Sequence, residues 1–383
     1  MVEAAASGRN RFLFISNGHG EDGIAASIIQ ALPKGIEVDA YPMIGSGNAY
    51  AGTCRIVGPR ATLASEGWRN VKGSLRRDIA TGGLATVPPA LKFLRRVRGK
   101  YDRVVVVGDM VGVLAAYATG YRGLHYIDVY KTGAARLYSG LERWTIKRAC
   151  STVFCRADNL ARTLEQVGVD ARSAGNVMMD TIPHGDYDAA SRRTRHKAVT
   201  LLPGSRALTA ESFQLQVNAL RMLPEELRPD VFLAVAGSVN VEELARASGL
   251  KRMPMLSAEP ADLGELSDGD LTIHMARGSA MGDLLAASDL VLSQAGTATV
   301  QSLGLGKPVI TFINPRDRRS RFTDEQMLFG EARIVVPPEA PAIGAALGNL
   351  LSDDDERRRL ANIGRQRIGG PGAMAAIVDA LVG

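Results

Sequence analysis

Arg103-Val104-Val105-Val106-Val107-Gly108-Asp109 is the stretch whose reading decides the fold. Four consecutive β-branched residues stopped by a glycine suit a strand buried on both faces, the habit of parallel sheets. Met110 to Ala118 behind it reads as a helix, so strand and helix alternate. The alternation continues outward. Phe12 to Ile15 and Ile36 to Ala40 read as strands around a helix from Asp22 to Leu32. His125 to Val129 and Thr152 to Cys155 read as strands, with helices over Ser139 to Ala149 and Ala157 to Val167. A polar, charged stretch from Pro183 to Lys197 interrupts the pattern and reads as a connector. Beyond it come strands at Ala198 to Leu202, Val231 to Ala236, Leu290 to Ser293 and Val309 to Phe312. Helices over Ala210 to Leu223, Met281 to Ala287 and Thr297 to Leu303 separate them. The pattern predicts an α/β chain of two Rossmann-like, doubly wound parallel sheets, with a ligand crevice between their carboxyl strand ends. The expected domains are 1–183 and 184–365. The tail, 366–383, carries an Ala-rich helix from Ala373 to Val382 after Gly369-Gly370-Pro371-Gly372, a hinge that would let it cross back onto the first domain.

Composition narrows the class. A length of 383 residues fits two domains of about 100–200 residues each. The chain is 46% apolar and 22% charged, which excludes a disordered or collagen-like protein. Cys54, Cys150 and Cys155 form no C-x-x-C pair, so neither a zinc knuckle nor a redox dithiol is expected, and buried thiols in a reducing cytoplasm are. No apolar run reaches transmembrane length, and Met1 to Asn10 lacks the hydrophobic stretch of a secretory signal. Aromatics make up 5%, too few for a sheet that stacks bases, and no nucleic-acid partner is expected.

Gly18-His19-Gly20-Glu21-Asp22-Gly23 follows a strand and opens a helix, matching G-x-G-x-x-G letter for letter. Two readings compete with a dinucleotide site. One is a tight turn whose acids suit the helix dipole. The other is an acceptor-sugar loop of Gly18, Gly20 and Glu21. Asp39 lies early for the ribose-binding acid, expected about 20 residues on, and Glu21 and Asp22 would repel a pyrophosphate. His19, at the mouth of the turn, can accept a hydroxyl proton at neutral pH or stand merely exposed. Asp109, after the valine run, is either a base or the N-cap of the next helix. In the second half, Leu202-Pro203-Gly204-Ser205-Arg206 offers backbone N–H groups and a guanidinium fork suited to phosphate. Gln294-Ala295-Gly296-Thr297-Ala298 would cradle a phosphate or cap a helix. No P-loop, G-x-S-x-G or H-E-x-x-H occurs, so kinase, α/β-hydrolase and zinc-protease chemistry lose their support and no metal site is expected.

These motifs, with Gly304-Leu305-Gly306-Lys307-Pro308-Val309 and Ala174-Gly175-Asn176-Val177-Met178-Met179-Asp180, resemble lipid-A-disaccharide synthase. Ser16-Asn17-Gly18-His19-Gly20-Glu21-Asp22, Phe322-Thr323 and Glu325-Gln326 resemble the branch of lipid-A-disaccharide-synthase-related proteins. The resemblance covers most of the chain. It implies a GT-B glycosyltransferase that needs no metal or cofactor, binds a nucleotide sugar, commonly UDP-linked, in its second domain and an acceptor in its first. Carried over, Arg206, Gly296 and Thr297 would hold the diphosphate, and His19 or Asp109 would be the base. The acid that the family uses on the donor ribose is absent: Val300 or Gln301 stands there, and Gln301 would bond the ribose without charge assistance.

The basic charge is concentrated. Arg69 to Arg103 holds ten Lys/Arg against Asp78 and Asp102, in a chain of net charge +6. Lys72, Arg76, Arg77, Lys92, Arg95, Arg96 and Arg98 flank an apolar stretch from Ile79 to Leu94. Such a segment either lies on an anionic bilayer, at about 1 kcal/mol per basic residue, or is a solvated basic helix pair that Pro88-Pro89 breaks in two. The expected protein is a cytoplasmic glycosyltransferase, peripheral on the inner membrane face, that moves a sugar from a nucleotide donor to a lipid or glycolipid hydroxyl. The alternatives are a UDP-sugar 2-epimerase of the same fold and a non-catalytic nucleotide-sugar or lipid binder.

Overall fold

The computed structural model describes residues 10–61, 83–204, 208–253, 259–314 and 319–383. The chain divides into two compact units, Met1–Thr181 with Pro371–Gly383, and Ile182–Gly370.

The first unit runs β1 (Arg11–Ser16), α1 (His19–Ala31), β2 (Glu37–Pro42), β3 (Arg55–Ile56), α2 (Val87–Val97), β4 (Arg103–Gly108), α3 (Met110–Ala118), β5 (Leu124–Asp128), α4 (Gly140–Ala149), β6 (Cys150–Phe154), α5 (Asp158–Glu165), β7 (Asp170–Arg172) and α6 (Val177–Asp180). Its seven-stranded sheet has the order β3-β2-β1-β4-β5-β6-β7, every pair parallel. The direction of winding reverses between β1 and β4, the position where such sheets leave a crevice at their carboxyl edge.

The valine run is buried on both faces. Val104 and Val106 join a core with Leu13, Ile15, Phe93 and Leu94. Val105 and Val107 point the other way, into a core with Phe12, Phe14 and Ile28. That second core is completed by the C-terminal helix, Ala373–Val382, which buries Ala373, Ile377 and Leu381 at helical spacing. Asp180 accepts the N–H groups of Gly372 and Met374, fixing the start of that helix. The helix before it continues to Ile368, and the tail helix runs from Ala373 to Val382, the bounds read from the sequence.

The second unit runs β8 (Ala198–Leu202), α7 (Thr209–Arg221), β9 (Asp230–Val235), α8 (Val241–Ser248), β10 (Lys251–Met253), β11 (Asp262–Ser267), β12 (Thr272–Arg277), α9 (Ala280–Ala287), β13 (Leu290–Ser293), α10 (Thr297–Gly304), β14 (Val309–Phe312), α11 (Arg319–Phe329), β15 (Arg333–Val336), α12 (Ala340–Ser352) and α13 (Asp354–Ile368). The sheet order is β10-β11-β12-β9-β8-β13-β14-β15. The expected all-parallel sheet is corrected here, because β11 pairs antiparallel with both β10 and β12. Asp268 builds the turn between β11 and β12 by accepting the N–H groups of Asp270 and Leu271. The stretch read as a connector is strapped to this unit. Asp230 accepts from the Thr194 and Arg195 backbone, and Arg192 and Arg193 pair with Asp262 and Asp289.

Pro88-Pro89 starts a helix and does not break one. The prolines occupy the first turn of α2, where their missing N–H groups cost nothing. One face of α2 buries Ala90, Phe93, Leu94 and Val97, and the other exposes Lys92, Arg95, Arg96 and Arg98.

Asp39 anchors the amino edge of the first sheet. Its side chain is 2% exposed and accepts two bonds from Arg55, one from Arg11 and one from Tyr101 Oη. Burial pushes its carboxyl up, but the Arg55 and Tyr101 hydrogen bonds and both guanidinium charges outweigh that and leave it below the usual range. A carboxylate held down in the folded state stabilises above its unfolded pKa of about 3.9. That stability disappears as pH falls through the lower folded value. Asp39→Ala is expected to cost about 3 kcal/mol, and urea titrations at pH 7 and pH 3 should show the difference from wild type shrinking in acid.

Candidate functional site

The first unit's site forms where β1 and β4 end side by side. Ser16 pairs with Val107, so the loops that follow are neighbours. Asn17 Nδ2 donates to Asp109 Oδ1 at 2.6 Å, and the same oxygen accepts the Val111 N–H at 2.8 Å. Asp109 therefore caps α3 and is also locked to the β1 loop. Both bonds fall on Oδ1 and neither on Oδ2. Gly108, at φ +135°, lets the chains approach: a Cβ there would sit 2.5 Å from Asn17 Oδ1. His19 opens α1, and its side chain lies outside the described part of the structure.

The G-x-G-x-x-G loop is occupied by its own acids. A Cβ on Gly18 would lie 2.5 Å from Glu21 Oε2, so the space over the first glycine holds a carboxylate. Asp22 is buried and its Oδ1 accepts from Ser16 Oγ at 2.6 Å, while Ser16 Oγ also bonds Tyr50 Oη at 2.6 Å. Asp39 is consumed by Arg11, Arg55 and Tyr101. The dinucleotide alternative is corrected on these grounds, since each acid it needed absent or available is engaged otherwise. Gly20 is exposed on the first turn of α1.

Beside Asp109 lies a feature that sequence reasoning missed. Asp128 ends β5, paired with Gly108, and is fully enclosed. Burial pushes its carboxyl up, against the hydrogen bonds from Tyr138 Oη and the Lys131 and Tyr130 N–H groups. Lys131 Nζ reaches Glu142 at 2.8 Å and the Leu137 carbonyl at 3.0 Å. This polar clasp shapes the loop from Val129 to Ser139 and holds Tyr130 and Leu137 outward.

The second unit's site is built from the ends of β8 and β13. The Gln294 N–H donates to the Leu202 carbonyl at 2.8 Å, bringing Gly204 against the Gln294 loop. Gly204 adopts φ +100°, a conformation that favours glycine. Gln294 Nε2 bonds Thr311 and the Phe312 carbonyl, so this side chain ties β13 to β14. Ser293 Oγ bonds Thr299 Oγ1 and accepts the Ala295 N–H, which shapes the turn into α10. Gly296 caps α10 without a side chain, no acid sits in its first turn, and Thr297 is exposed. The N-terminus of α10, at Gly296, Thr297 and Ala298, thus has no side-chain cap and no acid of its first turn against its positive end. Ser205 and Arg206 lie outside the described residues. Gln301 is 4% exposed and already bonded, so the proposed ribose contact is corrected to a core position. Val300 is buried as well.

The segment expected at a membrane surface is described only in part. Lys72, Arg76 and Arg77 lie outside the described residues. Phe93 and Leu94 belong to the core, which takes them from the apolar surface expected of that stretch. Exposed apolar side chains stand instead on α3 and α4: Val111, Leu114, Leu141 (71% exposed) and Trp144, with Leu137 before α4. Tyr117 and Trp144 join the two helices edge to face at 5.8 Å. Arg122 stacks on Tyr117 and Arg148 on Trp144. No helix among the described residues is long and apolar enough to cross a membrane. Nor does any group of three His, Cys, Asp or Glu among them gather as metal ligands would.

No protein-family model matches the chain. A curated relative, the lipid-A-disaccharide synthase of Cellvibrio japonicus, is 29% identical over 155 residues, which are 39% of this chain and 36% of that protein. The matched stretch thus spans about a third of the relative's length. Solved structures match almost end to end. A structure of S. aureus MnaA with UDP aligns over 96% of this chain and 94% of its own at TM-score 0.57 and 14% identity. A UDP-N-acetylglucosamine 2-epimerase aligns over 97% and 95%, at 0.55 and 15%. The spinosyn rhamnosyltransferase SpnG aligns over 97% and 100%, at 0.56 and 14%. The chain has the GT-B fold. That agrees with the resemblance carried by its motifs.

Ser16→Ala removes the hydroxyl that joins Asp22 to Tyr50. It is expected to destabilise the protein by about 1–3 kcal/mol, read as a lowered urea midpoint at unchanged slope.

Proposed function

We propose that this protein is a glycosyltransferase that moves a sugar from a UDP-linked donor to the hydroxyl of a lipid acceptor at an anionic membrane surface. The observation that carries the nucleotide assignment is the uncapped N-terminus of α10, set at the carboxyl ends of β8 and β13. The alignment with a UDP-bound structure over nearly the whole chain supports it. Gly204, Ser205, Arg206 and the Gly296-Thr297-Ala298 amides would receive the diphosphate. In the first unit, the acceptor oxygen attacks the anomeric carbon and its proton passes to Asp109 or His19. The bond from that carbon to the β-phosphate oxygen breaks, and UDP leaves with the electron pair. The helix N-terminus and Arg206 stabilise the charge that develops on it. Asn17 aims the Asp109 carboxyl.

The lipid part of the reading rests on the α3–α4 face. Asp109 caps α3, and Val111 and Leu114 follow it on the exposed side of that helix. An acceptor with its hydroxyl at Asp109 would run its chain along this face, with Trp144 and the stacked arginines at the depth of lipid headgroups. Lys92, Arg95, Arg96 and Arg98 on α2 add positive charge. The 2-epimerase reading has its own support in the fold neighbour of that name. It predicts conversion of a UDP-sugar without any acceptor.

Calorimetric titration with UDP tests the donor site. Arg206→Ala should weaken binding about 10- to 100-fold, and unchanged affinity would remove Arg206 from the site. Asp109→Asn should leave UDP affinity unchanged and lower transfer about 10²- to 10⁴-fold. Loss in His19→Ala alone would move the base to His19. For the lipid reading, Leu141→Glu with Trp144→Glu should abolish cosedimentation with vesicles containing phosphatidylglycerol while UDP binding persists.

A further inference from the structure

A second cavity lies away from the carboxyl strand ends. It has a volume of about 460 Å³ and is lined by Arg11, Arg55, Phe93, Arg96, Lys100 and Tyr101, with apolar residues between them. Arg11 and Arg55 begin β1 and β3, and Tyr101 precedes β4. The cavity therefore opens at the amino edge of the sheet. Ser16, at the other end of β1, is five residues from Arg11, roughly 17 Å along the strand. The size falls within the roughly 300–1,000 Å³ of small-molecule sites.

The charge in this cavity is not balanced by the described residues that line it. Four cations line it and no acid does. Asp39, behind the wall, holds Arg55 through two bonds and Arg11 through one. Glu37 stands 3.5 Å from Arg11 at the rim. Arg96 and Lys100 have no carboxylate partner among the described residues: Arg96 leans over the Phe93 ring at 5.7 Å. Two positive charges are thus left over beside two guanidinium forks already fixed in direction. A fork held by a buried carboxylate loses little freedom when its other N–H groups take up an anion. Tyr101 is fixed too, its hydroxyl donating to Asp39 and its ring lying under Arg11 at 5.0 Å.

We propose that this cavity is a binding site for a phosphate-bearing small molecule, separate from the proposed transfer site. Arg96 and Lys100 supply the uncompensated charge, Arg11 and Arg55 the oriented donors, and the Phe93 and Tyr101 rings the walls against which the rest of the ligand packs. A free phosphate compound and a lipid headgroup share this chemistry. Calorimetry on the full chain separates them, using inorganic pyrophosphate for the first and dihexanoyl phosphatidic acid, below its micelle concentration, for the second. At least one probe should bind, and the double variant R96A/K100A should weaken it at least tenfold. K34A/R162A removes the same charge from exposed positions of the same unit outside the cavity, and should leave that binding within twofold of wild type. Both pairs are exposed, and matching thermal midpoints confirm folding. UDP affinity should be the same in both double variants, which separates this site from the donor site. Preference for pyrophosphate identifies a soluble ligand, and preference for the phosphatidic acid identifies a headgroup. The proposal is overturned if neither probe binds, or if the two double variants weaken binding alike or not at all.

Discussion

A parallel strand buried on both faces is joined to its neighbours by crossovers and not by tight hairpins. It is entered and left through helices, and its neighbours run parallel to it. The run Val104–Val107 imposes this on the first unit, because it feeds one core through Val104 and Val106 and the opposite core through Val105 and Val107. Every turn from strand to helix then falls on one edge. Asn17, Asp109 and the clasp at Asp128 meet there because β1, β4 and β5 are adjacent and end together. The second unit repeats the arrangement at β8 and β13, with the turn into α10 at its carboxyl edge. The sites are consequences of how apolar strands must be covered.

That logic explains what was legible in the chain. Strands that are buried throughout and mostly apolar, such as Ala198–Leu202, Leu290–Ser293 and Val309–Phe312, stand where the pattern puts them. The strands that escaped carry the opposite signal. Asp262–Ser267 alternates polar and apolar residues around a glycine, and Lys251–Met253 is exposed throughout. Short strands at the sheet's edge, or beside it with one face partly wet, need no apolar run, so periodicity cannot separate them from loops. At the site, single residues were legible and pairings were not. Asp109 could be marked as a cap or a base, but Asn17 lies 92 positions away and is paired with it only through the sheet. Asp128 read as one more residue inside the strand from His125 to Val129. Nothing local announces that Tyr138 and two backbone amides close around it.

The surface follows a different rule. On α2 the apolar and basic residues are segregated, and the apolar half is spent on the core. On α3 and α4 the covered faces are satisfied by small and β-branched residues, such as Gly112, Val113, Ala116 and Ile146. Bulkier side chains remain outside with arginines stacked over two of their rings. A basic, apolar sequence segment is therefore a poor guide to which helix presents an apolar surface. What decides is which face is left over after the core has been filled.

The C-terminal helix has a bearing on how this molecule comes into being. It supplies Ala373, Ile377 and Leu381 to the same core as Phe12 and Phe14. During synthesis the first half of the chain emerges long before those three side chains exist. The second unit lies wholly within that interval and can fold as it leaves the ribosome. The first unit waits with one side of its sheet covered only in part by α1, and it closes after the second unit has been made. A nascent chain stalled before Leu381 would expose an apolar groove fitted to its own missing end, which is the kind of surface that chaperones recognise.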